Sequence, residues 1–189
     1  MTLIYQSMIA GILIGLGVII NTLSGTPELG ALFFSFGLLT VIELQTPLFT
    51  GKIGFYDGTK ENTKNLLIIL LSNLFGIFLC IFLYHFANPD FLNILMTKAE
   101  MKFTKDFIQL AVAGMFCGGL IHFAVRAKTQ ITTILAVMLF ILIGAEHCIA
   151  DFPYLLVTTD PLNILKFLGI VIGNSLGAII VENLLKKEG

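Results

Sequence analysis

The chain has 189 residues, 57% of them hydrophobic and only 12% charged, with a mean hydropathy of +0.95 and a net charge of −1. Soluble domains carry roughly a quarter charged residues, so this composition excludes a water-soluble protein, and the near-zero charge offers nothing to nucleic acid or to a strongly acidic partner. The three cysteines, Cys80, Cys117 and Cys148, all lie in apolar stretches without CxxC spacing, which argues against a disulfide framework and supplies no metal-ligand set.

Six stretches approach the ~20 residues needed to cross a bilayer as helix. They run Leu3–Leu23, Leu29–Phe49, Leu66–Phe86, Phe107–Val125, Ile131–Ala150 and Phe167–Leu185. The first has neither a basic leader nor a small-residue cleavage site, so it reads as a retained helix. Turn and charge signals separate the spans at Ser24–Glu28, Asp57–Asn62 and Ala87–Asp90. The segment from Asn88 to Lys105 is the longest connection and is expected to form a short interfacial helix. With the N-terminus inside, Lys52, Lys60, Lys64, Arg126, Lys128, Lys186 and Lys187 fall on the cytoplasmic side, and Lys98, Lys102, Lys105 and Lys166 fall outside. That excess favours both termini in the cytoplasm.

The fifth span carries Glu146, His147 and Asp151 among residues made for hydrocarbon. An ionisable group at the bilayer centre costs about 2.5–3.5 kcal/mol on insertion scales and faces a polar interior when it is kept. These residues therefore mark a functional place.

The two halves echo each other. Gly11-x-x-x-Gly15 returns as Gly114-x-x-x-Gly118 and Glu43 as Glu146, both at an offset of 103, and Ser72–Gly76 returns as Gly173–Gly177 at 101. Three spans per half implies an inverted-topology repeat, about 1–87 and 105–187, within a single membrane domain spanning 1–189. In such folds the site lies near the midplane, where interrupted helices meet. Interruptions are expected in the second span at Pro47 and Gly51, and in the fifth at Asp151-Phe152-Pro153 after the Glu-His pair. The alternative is that both features end helices at the interface.

These residues resemble the formate/nitrite transporter family. The resemblance rests on Phe34–Leu38 with Leu48-Phe49-Thr50, on Gly114-Met115-Phe116-Cys117 with Ala124-Val125, and on Glu146–Ala150 with Phe140 seven residues before His147. Gly173-Asn174-x-x-Gly177 completes it. The family implies an all-α, aquaporin-like membrane fold of six helices, the second and fifth broken. It also implies a homopentamer in a prokaryotic plasma membrane, with one pore per protomer for small monovalent weak-acid anions such as formate, nitrite or hydrosulfide, and no cofactor. By that resemblance His147 is the pore histidine and Thr50 its partner from the other repeat. Leu38, Leu48, Phe49 and Phe140 line hydrophobic constrictions, and Asn174 fixes the local backbone. The chain departs from the family pattern at Gly118 and Asp151, where asparagine is usual, and at Pro47, where an acid is usual. Little chain precedes the first span.

Other readings of these residues stand beside this one. Thr50 can be a back-bonding helix threonine, and Glu146 a structural acceptor rather than a substrate contact. Asp151 close to His147 would favour an imidazolium, and burial would oppose it. His85 and His122 read as packing residues. Two rival functions remain: a transport-inactive structural or regulatory membrane subunit, and an intramembrane acid/base enzyme built on His147, Glu146 and Asp151. No metal triad or nucleophile motif supports the second.

Overall fold

Stretches this apolar fold by closing every backbone hydrogen bond within the segment, because hydrocarbon offers no partner. In the computed structural model, which describes residues 2–186, the chain forms helices α1 (Thr2–Leu23), α2 (Pro27–Glu43), α3 (Phe49–Lys52), α4 (Lys60–Ala87), α5 (Phe91–Lys102), α6 (Phe107–Ala127), α7 (Gln130–Leu142), α8 (Cys148–Leu156) and α9 (Leu162–Lys186), with a 3-10 turn at Ile53–Phe55. Lys187 and the end assigned to the second repeat lie outside the described residues. Helices α1, α4, α6 and α9 are long and apolar enough to cross a membrane. Side-chain caps set most starts: Thr26 accepts from Leu29 N–H with Pro27 at the first helical position, and Thr59 accepts from Asn62 N–H. The connection after α4 holds the expected short helix, α5.

Residues of the second and fifth expected spans are divided differently. Helix α2 has 17 residues and α7 has 13, or roughly 26 and 20 Å of helix against a hydrocarbon core of ~30 Å. Each stops in the same way. Gln45 and Gly144 take the left-handed conformation at φ 54° and 70°. The Gln45 and Thr46 N–H groups then donate back to the carbonyls of Ile42 and Val41, and those of Gly144 and Ala145 to Ile141 and Phe140. This is the Schellman closure. The breaks therefore fall two residues before Pro47 and three before His147. Pro47 and Gly51 do not make the first one, since Gly51 lies inside α3. Asp151-Phe152-Pro153 do not make the second, since all three lie inside α8.

After each stop a short non-helical link, 44–48 or 143–147, leaves an exposed turn and enters the buried interior at Thr46 or Glu146, where it would strand its backbone polar groups. One asparagine holds each link. Asn73 Oδ1 accepts from Phe49 N–H (2.8 Å), while its Nδ2 donates to Pro47 O (3.0 Å) and Ser7 O (2.7 Å). Asn174 Oδ1 accepts from Cys148 N–H (2.8 Å), while its Nδ2 donates to the carbonyls of Glu146 and Gly114 (2.8 Å each). The matched positions are offset by 101 for the asparagines, 99 for the links and 107 for the first helix of each set. The offset of 103 expected for the glycines is thus one helical turn out. Gly11 lies against Asn73 O and Gly118 against Asn174 O, so closely that a Cβ at either would enter the carbonyl's van der Waals radius. Glu43 is likewise no counterpart of Glu146, which matches Pro47. These contacts press α1 onto α4 and α6 onto α9 through small residues. The outward faces carry exposed Leu, Ile and Phe, among them Phe75, Phe78, Phe82 and Phe86 along α4, while the buried polar residues cluster inside.

Candidate functional site

The two links carry the chemistry inward. Thr50 sits in the first turn of α3, and His147 is the N-cap of α8. Their side chains meet, Thr50 Oγ1 to His147 Nε2 at 2.9 Å, and both residues are essentially inaccessible to solvent. The Ala150 N–H donates to His147 Nδ1 (3.1 Å), so Nδ1 must present its lone pair. The ring proton therefore sits on Nε2 and is donated to Thr50 Oγ1, which leaves the Thr50 hydroxyl hydrogen free to donate elsewhere. An imidazolium would set an Nδ1–H against the Ala150 N–H and break the cap. Phe140 stacks on the His147 ring (centroids 6.1 Å, 26°), and Phe34 meets Phe140 edge to face (5.8 Å, 88°).

Cavities open near this group from two sets of residues. One, of about 460 Å³, is lined by Phe34, Phe140 and His147 together with Lys98, Lys102, Lys105, Glu146, Asp151 and Tyr154. The other, of about 600 Å³, is lined by Leu38, Leu48, Gly51, Lys52 and Lys128. Phe34 and Leu38 stand one turn apart on α2, so the two cavities approach each other within ~6 Å along that helix.

The first cavity holds a charge cluster. Lys102 Nζ bonds Glu146 Oε2 and, at 2.8 Å, Asp151 Oδ1; Lys105 Nζ bonds Glu146 Oε1 at 2.9 Å. The Lys102 ammonium also sits 5.1 Å from the centre of the Tyr154 ring, and the Tyr154 hydroxyl reaches Thr22 Oγ1 at 3.3 Å. Burial works against the Lys102 ammonium, but the charges of Asp151 and Glu146 outweigh it and hold the group well above the usual lysine range. Asp151 Oδ2 is buried and has no partner among the described residues.

The structure thus brings together Thr50, His147 and Phe140, with Glu146 and Asp151 beside them. Leu38 and Leu48 line the opposite cavity. Phe49 is buried and lines neither cavity, and its N–H is held by Asn73. Asn174 commits its whole amide to the backbone and also lines neither. The carboxylate of Glu146 takes two lysines rather than backbone amides, and the carboxylate of Asp151 bonds Lys102 rather than the His147 ring. Glu43 accepts from Gln130 (3.2 Å) at an exposed position. His122 is buried against Glu182 (2.7 Å), which Arg126 and Lys186 also approach at 3.4 Å. Phe34, Lys102 and Lys105 carry no role in the sequence reading beyond a motif position and the outer charge count. The i, i+4 spacing of Lys98 and Lys102 was the available signal, since it puts two ammonium groups on one helix face.

A family model described as formate/nitrite transporter matches residues 1–186. Two solved structures share the fold. A pentameric formate channel with formate bound aligns with a TM-score of 0.78 at 22% identity, over 99% of this chain and 94% of that one. An FNT family ion channel aligns with a TM-score of 0.86, also at 22% identity, over 99% of this chain and 89% of that one. No match is found among curated proteins. The chain belongs to the formate/nitrite transporter family, whose members are channels and transporters rather than enzymes.

Proposed function

We propose that the chain is a membrane channel for small monovalent weak-acid anions of the formate, nitrite or hydrosulfide kind and their conjugate acids. In this reading α2 with α3, and α7 with α8, each make one interrupted span. The six spans then form two inverted repeats in one domain, about 1–87 and 105–187, and five chains assemble with one pore each. The solved relative described as pentameric and formate-bound supports the assembly and the substrate class. Both termini lie in the cytoplasm of a prokaryotic cell, which makes the lysine-lined cavity the outer one.

The single observation that carries the reading is the Thr50–His147 bond set between two cavities that approach from opposite residue sets. Three lysines against two carboxylates leave the outer cavity net positive, so it concentrates anions. Beyond it Phe34 and Phe140 on one side, and Leu38 and Leu48 on the other, form a dry passage. A bare anion crosses such a passage only at a large desolvation cost, whereas its neutral acid does not. At the narrowest point the Thr50 O–H, oriented by the donating imidazole, offers one hydrogen bond to the passing oxygen or sulfur. His147 acts here as a fixed neutral dipole.

The test is uptake of formate, nitrite and hydrosulfide into liposomes containing the purified protein, at two external pH values, with the assembly sized by native mass spectrometry. Uptake of at least one anion above empty liposomes, faster in acid, and a pentamer mass are expected. Liposomes that pass none of the three would leave a transport-inactive subunit as the reading, and a stable monomer or dimer would overturn the pentamer.

A further inference from the structure

We infer that Asp151 supplies the proton that neutralises the anion in the outer cavity, so that anion and proton travel together as the free acid. The inference rests on reading the chain as a weak-acid anion channel and assigns one side chain a step within it.

The geometry separates the two carboxylates of the cavity. Glu146 has a lysine on each oxygen, Lys105 on Oε1 and Lys102 on Oε2, while Asp151 shares only Lys102, through Oδ1. Asp151 Oδ2 has no donor among the described residues although the residue is only 4% exposed. Two buried carboxylates that share an ammonium repel one another, and a buried carboxylate oxygen without a donor is costly. A proton reaching this cluster therefore goes to Asp151 Oδ2, the one of the four oxygens with nothing bound. Other ionisable groups face Asp151 from every side. Lys98 and Lys102 approach from α5, with Lys105 just beyond it. Glu146 and His147 lie in the link, Cys148 and Tyr154 on α8, and Cys117 on α6. Both ring nitrogens of His147 are already committed, to Ala150 N–H and Thr50. Thiols and phenols in general hold their protons until about pH 8 or above and do not compete for one.

The step balances with one proton drawn from the outer solution for each anion carried. While Asp151 is ionised, Lys102 is matched by two carboxylates and attracts an anion weakly. Once Oδ2 is protonated, Lys102 faces Glu146 alone and draws the anion in. The Oδ2–H bond then breaks, its electron pair stays on Asp151, and the proton forms the O–H bond of formic acid. The regenerated carboxylate returns to Lys102, while the neutral acid passes Phe34 and Phe140, and a hydronium ion of the outer solution reprotonates Asp151 and leaves water behind. Because the donor is the protonated acid, its contribution is full below the titration of Asp151 and is lost as pH rises through it.

The experiment measures initial formate uptake into proteoliposomes across external pH for the wild type, Asp151→Asn and Asp151→Glu, together with an infrared acid titration of the purified proteins. Asp151→Asn keeps the size and the Lys102 contact but cannot carry the proton. It is expected to lower uptake in acid by about 10²-fold, the low end of what a positioned proton donor contributes, and to flatten the pH profile. Asp151→Glu restores the pH dependence. In the infrared, the difference between wild type and Asp151→Asn shows one protonated-carboxyl band in acid, and this holds whether or not the variant transports. Formate uptake in Asp151→Asn with an unchanged pH profile would overturn the inference alone, as would a difference spectrum without that band. A wild type that carries no weak-acid anion would instead overturn the function on which the inference rests.

Discussion

Replacing Asn174 by leucine, which nearly preserves its volume, removes all three bonds that hold the link carrying His147. Gly114 O lies within α6 and keeps a helical partner, so its loss is minor. Cys148 N–H and Glu146 O have no other partner among the described residues. Each becomes a buried unsatisfied group at a cost of about 1–3 kcal/mol, which puts the total at ~4 kcal/mol. His147 lies between these two atoms, so the same substitution frees the imidazole from Thr50. The three thiols are free and buried, which supplies the assay: maleimide labelling read peptide by peptide in mass spectrometry. At 1.4 kcal/mol per factor of ten, about 4 kcal/mol raises the population of the opened link by roughly 10³. Cys148 is expected to label faster by that order, with Cys80, remote on α4, unchanged. Equal acceleration at both cysteines would mean global unfolding, and no acceleration at Cys148 would refute the clamp.

Three further outcomes follow from the same geometry. Gln45 is exposed and held at φ 54°, so Gln45→Gly removes left-handed strain and should stabilise by about 1 kcal/mol, or ~2–4 °C in melting temperature; a lower melting temperature would contradict the Schellman assignment. Lys102 is raised above the ordinary lysine value by Asp151 and Glu146. Its stabilisation is therefore complete below that value and lost only as pH climbs through the higher folded one. The melting temperature of the wild type should lose nothing from this group between roughly pH 7 and 10, whereas Lys102→Gln, which strands Asp151, should melt lower throughout. Phe140→Ala opens the wall between Phe34 and His147 and removes a buried aromatic ring at about 3–5 kcal/mol. Surviving protein should pass formate with weaker pH dependence in proteoliposomes, and an unchanged profile would remove Phe140 from the barrier.

The glycine and asparagine spacing made the internal echo legible, yet it placed the glycines one turn off. Connecting segments of unequal length let each element pair keep its own offset, so no single number aligns the halves. Pro47 drew attention to the right neighbourhood, but the chain turns at Gln45, because a residue other than glycine in the left-handed region leaves no clear mark in sequence. Gly144 was the better signal, a glycine just past an apolar run. His147 stood out through the expense of an imidazole in oil, and Thr50 through the resemblance alone. The part of the site that stayed hidden is long-range: nothing local says that Lys102 reaches across to Glu146 and Asp151, because that pairing depends on how α5 folds back over the link. Phe49 shows the converse, a motif residue whose side chain packs in the core while its N–H does the work.

The central claim is that the Thr50 hydroxyl, oriented by His147, touches what passes between the cavities. Formate uptake by Thr50→Val in proteoliposomes tests it most directly, since valine keeps the shape and removes only the hydrogen-bonding group. A hydrogen bond to a charged or strongly polar solute contributes about 1.5–3 kcal/mol, so uptake should fall by roughly 10- to 100-fold with the assembly intact and the melting temperature a few degrees lower, because the buried His147 Nε2–H loses its acceptor. Uptake equal to that of the wild type would contradict the account.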